Sequence, residues 1–156
     1  MNDEDKDQAA DLNRIDTPLS ECALAQAIAA IGDAWTLLIL REVLCGATRF
    51  EQMQQDLGIS RAILADRLKK AVDAGILERV SYKKPGRRQH YSYAFTPRGR
   101  ALLPALLALR QWANEFLRDA PSKVGFADCL GSAVHVRMLN EQGIETSPED
   151  VRAVRL

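Results

Sequence analysis

"GISRAILADRLKKAVDAG", Gly58 to Gly75, is the stretch on which the fold turns. Ser60 stands where a helix cap belongs, and Gly75 stands where a helix stops. At about 100° per residue, Leu64, Leu68, Ala71, Val72 and Gly75 fall on one side, so that stripe is expected to pack inward. Ala62, Asp66, Lys69, Lys70 and Asp73 point the other way, with Arg67 at the margin. Gly58-Ile59 makes a tight turn, and before it "FEQMQQDL" (Phe50–Leu57) reads as a short helix. Helix, three-residue turn and helix is the order of a helix-turn-helix.

The next segments add a hairpin. "ILERVSY" and "QHYSYAF" alternate with period two on either side of "KKPGRR", whose Pro85-Gly86 pair is a turn signal. A helix-turn-helix followed by a hairpin is a winged helix-turn-helix, so the expected class is mainly α with a small β-hairpin wing.

Upstream, Ser20 is placed to cap a helix "ECALAQAIAAI" that ends at Gly32. Asp33 then caps "AWTLLILREVL", whose run from Trp35 to Leu40 is apolar all round and belongs in the core. Downstream, Thr96-Pro97 is a cap followed by a first-turn proline. The long helix after it carries Pro104 inside, which predicts a kink. Its periodicity predicts burial of Leu102, Leu103, Leu106, Leu109, Trp112 and Phe116, without distinguishing a core from a subunit contact.

Composition bounds the function. The chain has 156 residues, 47% hydrophobic and 27% charged, which suits one soluble domain with a real core. Residues 1–17 form an acidic tail expected to be disordered, unlike a signal peptide, and no run is long and apolar enough to span a membrane. A cytoplasmic protein without a membrane partner is the expectation. Residues 18–118 hold the winged domain, and 119–156 read as a C-terminal extension of short helices, associated with a dimer. The sequence displays no internal repeat.

A net charge of zero conceals an asymmetry. Residues 1–21 carry two cations and seven anions, while residues 49–100 carry twelve cations and five anions, a balance of +7. Charge gathered in one block matters for a polyanion. Ser60, Arg61 and Ala62 project beyond the packed stripe and are short or basic, so a major-groove floor can approach them, with Arg67 reading or bracing. Ile63 lies off the stripe, to meet a thymine methyl or to pack on a neighbouring helix. Lys69, Lys70, Lys83, Lys84, Arg87 and Arg88 are placed to hold phosphates or to reach the minor groove, and Arg49 adds a phosphate contact. His90 reads as DNA-facing or solvated.

Cys22, Cys45 and Cys129 cannot all pair within one chain, and no CxxC occurs. Cys129 and His135 lack a second ligand pair, so no metal site is expected. No catalytic residue and no cofactor are expected either, because neither histidine stands in a motif-like relation to a cysteine and no glycine-rich phosphate cradle occurs.

From Cys22 to about Trp112 the chain resembles the HxlR-type bacterial transcriptional regulators. The resemblance is carried by Cys22, then "GDAWT", "RF", "IS", "AG" and "TPRG" in order and at the expected distances. It implies a homodimeric winged-helix protein that binds double-stranded DNA; a two-fold dimer would read a near-palindromic operator, and the leading expectation is a repressor that occludes a promoter. In that family the first helix and the long helix after the wing form most of the dimer seam, here residues 22–31 and 97–117. Some members sense electrophiles or oxidants through the cysteine that opens the motif, where Cys22 stands. Ala23 follows it where the family often has proline. The alternatives are a small-molecule effector, a Cys22 that only packs at the seam, or a winged module that binds protein in place of DNA.

Overall fold

The computed structural model describes residues 17–82, 90–120 and 122–154. Of these, Ala27–Val136 form one compact unit, and residues 17–26 with 137–154 belong to a second. The helices are α1 (Ala23–Ile31), α2 (Ala34–Leu44), α3 (Phe50–Leu57), α4 (Arg61–Asp73), α5 (Pro97–Arg100) and α6 (Leu103–Phe116), with strands β1 (Leu77–Tyr82) and β2 (His90–Phe95) between α4 and α5.

Local chemistry sets most of these boundaries. The Asp33 carboxylate accepts from the backbone N–H of Trp35 at 2.8 Å and of Thr36 at 3.2 Å, which caps α2. Ser60 accepts from Ile63 N–H at 3.3 Å and starts α4. Gly58 takes φ 60° and closes α3, a left-handed position that a side chain would strain. Thr96 accepts from Gly99 N–H at 3.0 Å and donates its hydroxyl proton to the Gly75 carbonyl at 2.6 Å. One threonine therefore starts α5 and ties it to the end of α4. Gly99 is required by contact: a Cβ there would lie 2.0 Å from the Ile76 carbonyl oxygen.

The core lies where α2, α3 and α4 meet the hairpin. Ile39, Leu40, Met53, Leu64, Leu68 and Leu77 are its fully buried large side chains, each contributing on the order of 1.5–3 kcal/mol of burial. Leu64, Leu68 and Ala71 are buried and Val72 packs against them, as the stripe on α4 requires. β1 and β2 run antiparallel with Leu77 opposite Phe95 and Tyr82 opposite His90. A short edge joins them, with Tyr93 N–H donating to the Thr48 carbonyl at 2.8 Å and Arg49 bridging Ser92. The fold is a winged helix-turn-helix.

Three expectations change. The kink at Pro104 is a full break: α5 stops at Arg100 and α6 restarts at Leu103, which puts Pro104 in a first turn where its missing N–H costs nothing. Only the first part of the predicted apolar stripe packs on the core, through Leu102, Leu103 and Leu106. Leu109, Trp112 and Phe116 are 55%, 52% and 64% exposed. On α2, Leu38 within the apolar run is 43% exposed, while Glu42 just beyond the run is buried and ion-paired to the adjacent Arg41.

The short helices expected in the extension are replaced among the described residues by two small hairpins and one 3₁₀ turn, Pro148–Asp150. In the first hairpin the Asp128 carboxylate accepts from Leu130 and Ser132 N–H, and Gly131 N–H donates to the Asp128 carbonyl. In the second, the Asn140 side-chain oxygen accepts from Gln142 and Ile144 N–H, and Gly143 N–H donates to the Asn140 carbonyl. The flanking pairs match as well, Val134 to Phe126 and Thr146 to Met138. The backbone thus repeats every twelve residues where the sequence shares little beyond an Asp or Asn and a glycine. Among the described residues no single helix is long and apolar enough to cross a membrane.

Candidate nucleic-acid interface

α4 presents its start and outer side to solvent. Ser60, Arg61 and Ala62 are exposed, and Ile63 is 40% exposed. Arg61 is held in place by Phe50, its guanidinium carbon lying 4.9 Å from the ring centre.

The remaining cations of α4 are paired with carboxylates. Lys69 meets Asp73 at 2.6 Å and Lys70 meets Asp66 at 2.9 Å, both one helical turn apart. The hydrogen bond from Lys70 holds the Asp66 carboxyl below the usual aspartate range, and the bond to Asp73 raises the Lys69 ammonium above its ordinary value. Arg67 is tucked back. Its Nη1 donates to Asp66 at 2.8 Å, and its Nε contacts Asp33, the residue that caps α2. A single carboxylate thereby caps one helix and anchors another.

The wing adds three aromatic contacts. Arg49, at the start of α3, lies 5.2 Å over the Tyr82 ring, and Tyr82 stacks on His90 at 5.7 Å. Arg79 lies 4.6 Å over the Tyr91 ring. Between α4, the start of α3 and the hairpin runs an open groove of about 590 Å³, lined in part by Phe50, Arg61, Lys69, Arg79, Tyr91 and Tyr93. Arg79 and the supporting rings were missed in the sequence. The signal was present: Arg79 sits opposite Tyr93 in the register, which makes Tyr91 its diagonal neighbour on the same face. Lys83, Lys84, Arg87 and Arg88 lie outside the described residues, as does the Pro85-Gly86 turn.

Cys22 precedes α1 as its cap residue, half-buried, with its carbonyl accepting from Gln26 N–H at 3.1 Å. Cys45 and Cys129 are exposed, and all three thiols are free. No group of His, Cys, Asp and Glu among the described residues is arranged to hold a metal ion.

The elements and their order define a winged helix-turn-helix protein. Residues 30–121 match the family described as HxlR-like helix-turn-helix, more than half of the chain, and the chain belongs to that family. It is 40% identical over 95 residues to the uncharacterized HTH-type transcriptional regulator Rv3095 of Mycobacterium tuberculosis, a match covering 61% of this chain and 59% of that one. The alignment therefore spans less than two thirds of that relative's length. The crystal structure of PA1607, described as a candidate transcription factor, superposes with a TM-score of 0.74 at 33% identity, covering 87% of this chain and 96% of the other. The reduced form of the transcriptional regulator YodB from Bacillus subtilis superposes with a TM-score of 0.52 at 28% identity, over 61% of this chain and 93% of that one.

Proposed function

We propose that this chain is a transcriptional regulator that binds duplex DNA as a homodimer, with α4 in the major groove and the wing on the flanking backbone. The observation that carries this reading is the placement of α4: its apolar stripe packs on the core, while Ser60, Arg61 and Ala62 are exposed at its start. Short and basic residues there leave room for base edges. Arg49, Lys69 and Lys70 join the cations of the wing tip, Lys83, Lys84, Arg87 and Arg88, as phosphate contacts. Arg67 braces α4 from behind.

Dimer formation is supported by apolar faces left uncovered among the described residues. Neither α1 nor α6 contains a buried residue, although both carry large apolar side chains. A two-fold pair would set two copies of α4 about one turn of DNA apart, roughly 34 Å, and read a near-palindromic operator. Binding across a promoter makes the protein a repressor.

Control is assigned to Cys22, whose free thiol sits at the start of the exposed helix α1. Modification of its Sγ by an oxidant or electrophile would disturb the helix start and the seam together, and weaken DNA binding. A small-molecule effector is the alternative route of control.

The direct test is an electrophoretic shift on the DNA upstream of the protein's own coding sequence, at several salt concentrations. Binding should weaken with salt by about 0.9 logarithmic units per phosphate neutralised. Absent or salt-insensitive binding would favour a winged module that engages protein. Oxidant should release the wild type and not Cys22→Ser; equal release of both would remove Cys22 from the account.

A further inference from the structure

We propose that the groove between α4 and the wing holds one phosphodiester strand of the duplex, and that Arg61 and Arg79 are its grips, pre-set by the rings beneath them. This rests on the DNA-binding reading and adds three things to it: Arg61 turned from base edges to the backbone, Arg79 as a contact, and Phe50 and Tyr91 as positioning residues.

The groove has the right occupancy and walls. At about 590 Å³ and open to solvent, it has room for a stretch of one sugar-phosphate backbone. Ala65 on the α4 wall is small enough to let a sugar-phosphate chain approach. Cations stand on both sides, Arg61 and Lys69 from the helix and Arg79 from the hairpin. Glu51 and Asp73 also reach the groove, but Asp73 is paired with Lys69 at 2.6 Å. Arg79 and Tyr91 are exposed, which suits a polyanion whose far side remains in water.

The rings matter for a specific reason. The guanidinium carbons of Arg79 and Arg61 lie 4.6 and 4.9 Å from the ring centres, within reach of a cation–π contact, and a guanidinium carries five N–H donors along its edge. Those edge donors match two phosphate oxygens. Binding a phosphate therefore need not break the ring contact. An arginine ordered beforehand loses less rotamer freedom on binding, and ordering one long side chain costs on the order of 0.5–1.5 kcal/mol. The ring should thus strengthen binding without adding charge.

That distinction is measurable. Fluorescence anisotropy with a labelled duplex of the upstream region, repeated across salt, gives both affinity and salt slope. Arg79→Ala should weaken binding and lower the slope by about one unit, whereas Arg79→Lys should keep the slope and still bind more weakly. Tyr91→Leu should keep the full slope and weaken binding about two- to tenfold. Lys123→Ala removes an equal charge away from the groove and should change neither quantity. Unfolding midpoints equal to wild type confirm that each variant is intact. A wild type that fails to bind DNA overturns the DNA reading itself. A wild type that binds with a steep slope, and an Arg79→Ala variant that matches it, overturn the groove assignment alone. Unchanged affinity in Tyr91→Leu overturns the positioning role of the ring.

Discussion

Asp33 does two jobs that substitution can separate. Its Oδ1 caps α2 by accepting from Trp35 and Thr36 N–H, and its Oδ2 contacts the Arg67 guanidinium of α4. Asp33→Ala removes both. Loss of a cap costs about 0.5–2 kcal/mol. The ion pair is partly screened, with side chains 27% and 33% exposed, so it adds roughly 0.2–1 kcal/mol. The total for Asp33→Ala is then about 1–3 kcal/mol. Asp33→Asn keeps a side-chain oxygen at the cap, where asparagine serves as well as aspartate. Only the charge contact goes, and the cost falls to about 1 kcal/mol or less. Thermal midpoints should drop by about 2–4 °C per kcal/mol in a chain of this size. Urea unfolding of both variants at one fixed protein concentration reads the difference, provided their m-values agree with wild type. Equal losses in the two variants would mean that the charge, and not the cap, is the main work of Asp33.

Three further outcomes follow from the geometry. Gly99→Ala forces a Cβ against the Ile76 carbonyl, 2.0 Å away, and overpacking of that kind costs about 1–3 kcal/mol; a urea midpoint equal to wild type would refute the close approach of α5. The Asp66 carboxyl is held low, chiefly by Lys70, so its contribution is present above the ordinary aspartate range near pH 4 and lost as pH falls through the lowered value. Acid titration of Asp66→Asn should therefore show a shallower decline than wild type below about pH 4, and identical acid limbs would sink the pairing. Trp112→Glu places a charge on the exposed apolar face of α6; sedimentation should show a monomer with weakened operator binding, and a persisting dimer would move the seam elsewhere.

What was legible in the sequence is what local chemistry decides. Asp33, Ser60 and Thr96 each satisfy N–H groups two or three residues ahead, so their helix starts are written in adjacent letters. The inward stripe of α4 is a matter of period, and Leu64, Leu68 and Ala71 follow it into the core. Three kinds of feature escaped. The end of α6 obeys the same period, yet period cannot say whether Trp112 and Phe116 meet the core or another molecule. The contact of Arg67 with Asp33 joins residues 34 positions apart, a pairing no periodic pattern encodes. The extension's hairpins depend on two Asx residues and two glycines, Gly131 at φ 85° and Gly143 at φ 78°, set among unlike neighbours. A twelve-residue period marked at two positions per repeat is too sparse to stand out as a repeat.

The location of charge sharpens the DNA reading more than its amount. On the outer side of α4 the lysines already have partners, so a phosphate approaching Lys69 or Lys70 exchanges with Asp73 or Asp66. Such an exchange trades one exposed ion pair for another, and exposed pairs are worth little. Arg61 and Arg79 differ: among the described residues each lies on a ring with no carboxylate at ion-pair distance. A phosphate at either one gains a charge contact without displacing another. Among the described cations, affinity should therefore concentrate at the ring-held arginines Arg49, Arg61 and Arg79, while the paired lysines limit the attraction of α4 for arbitrary DNA. Sequence discrimination then falls to the short residues at the start of α4, where approach distance and not charge decides the contact.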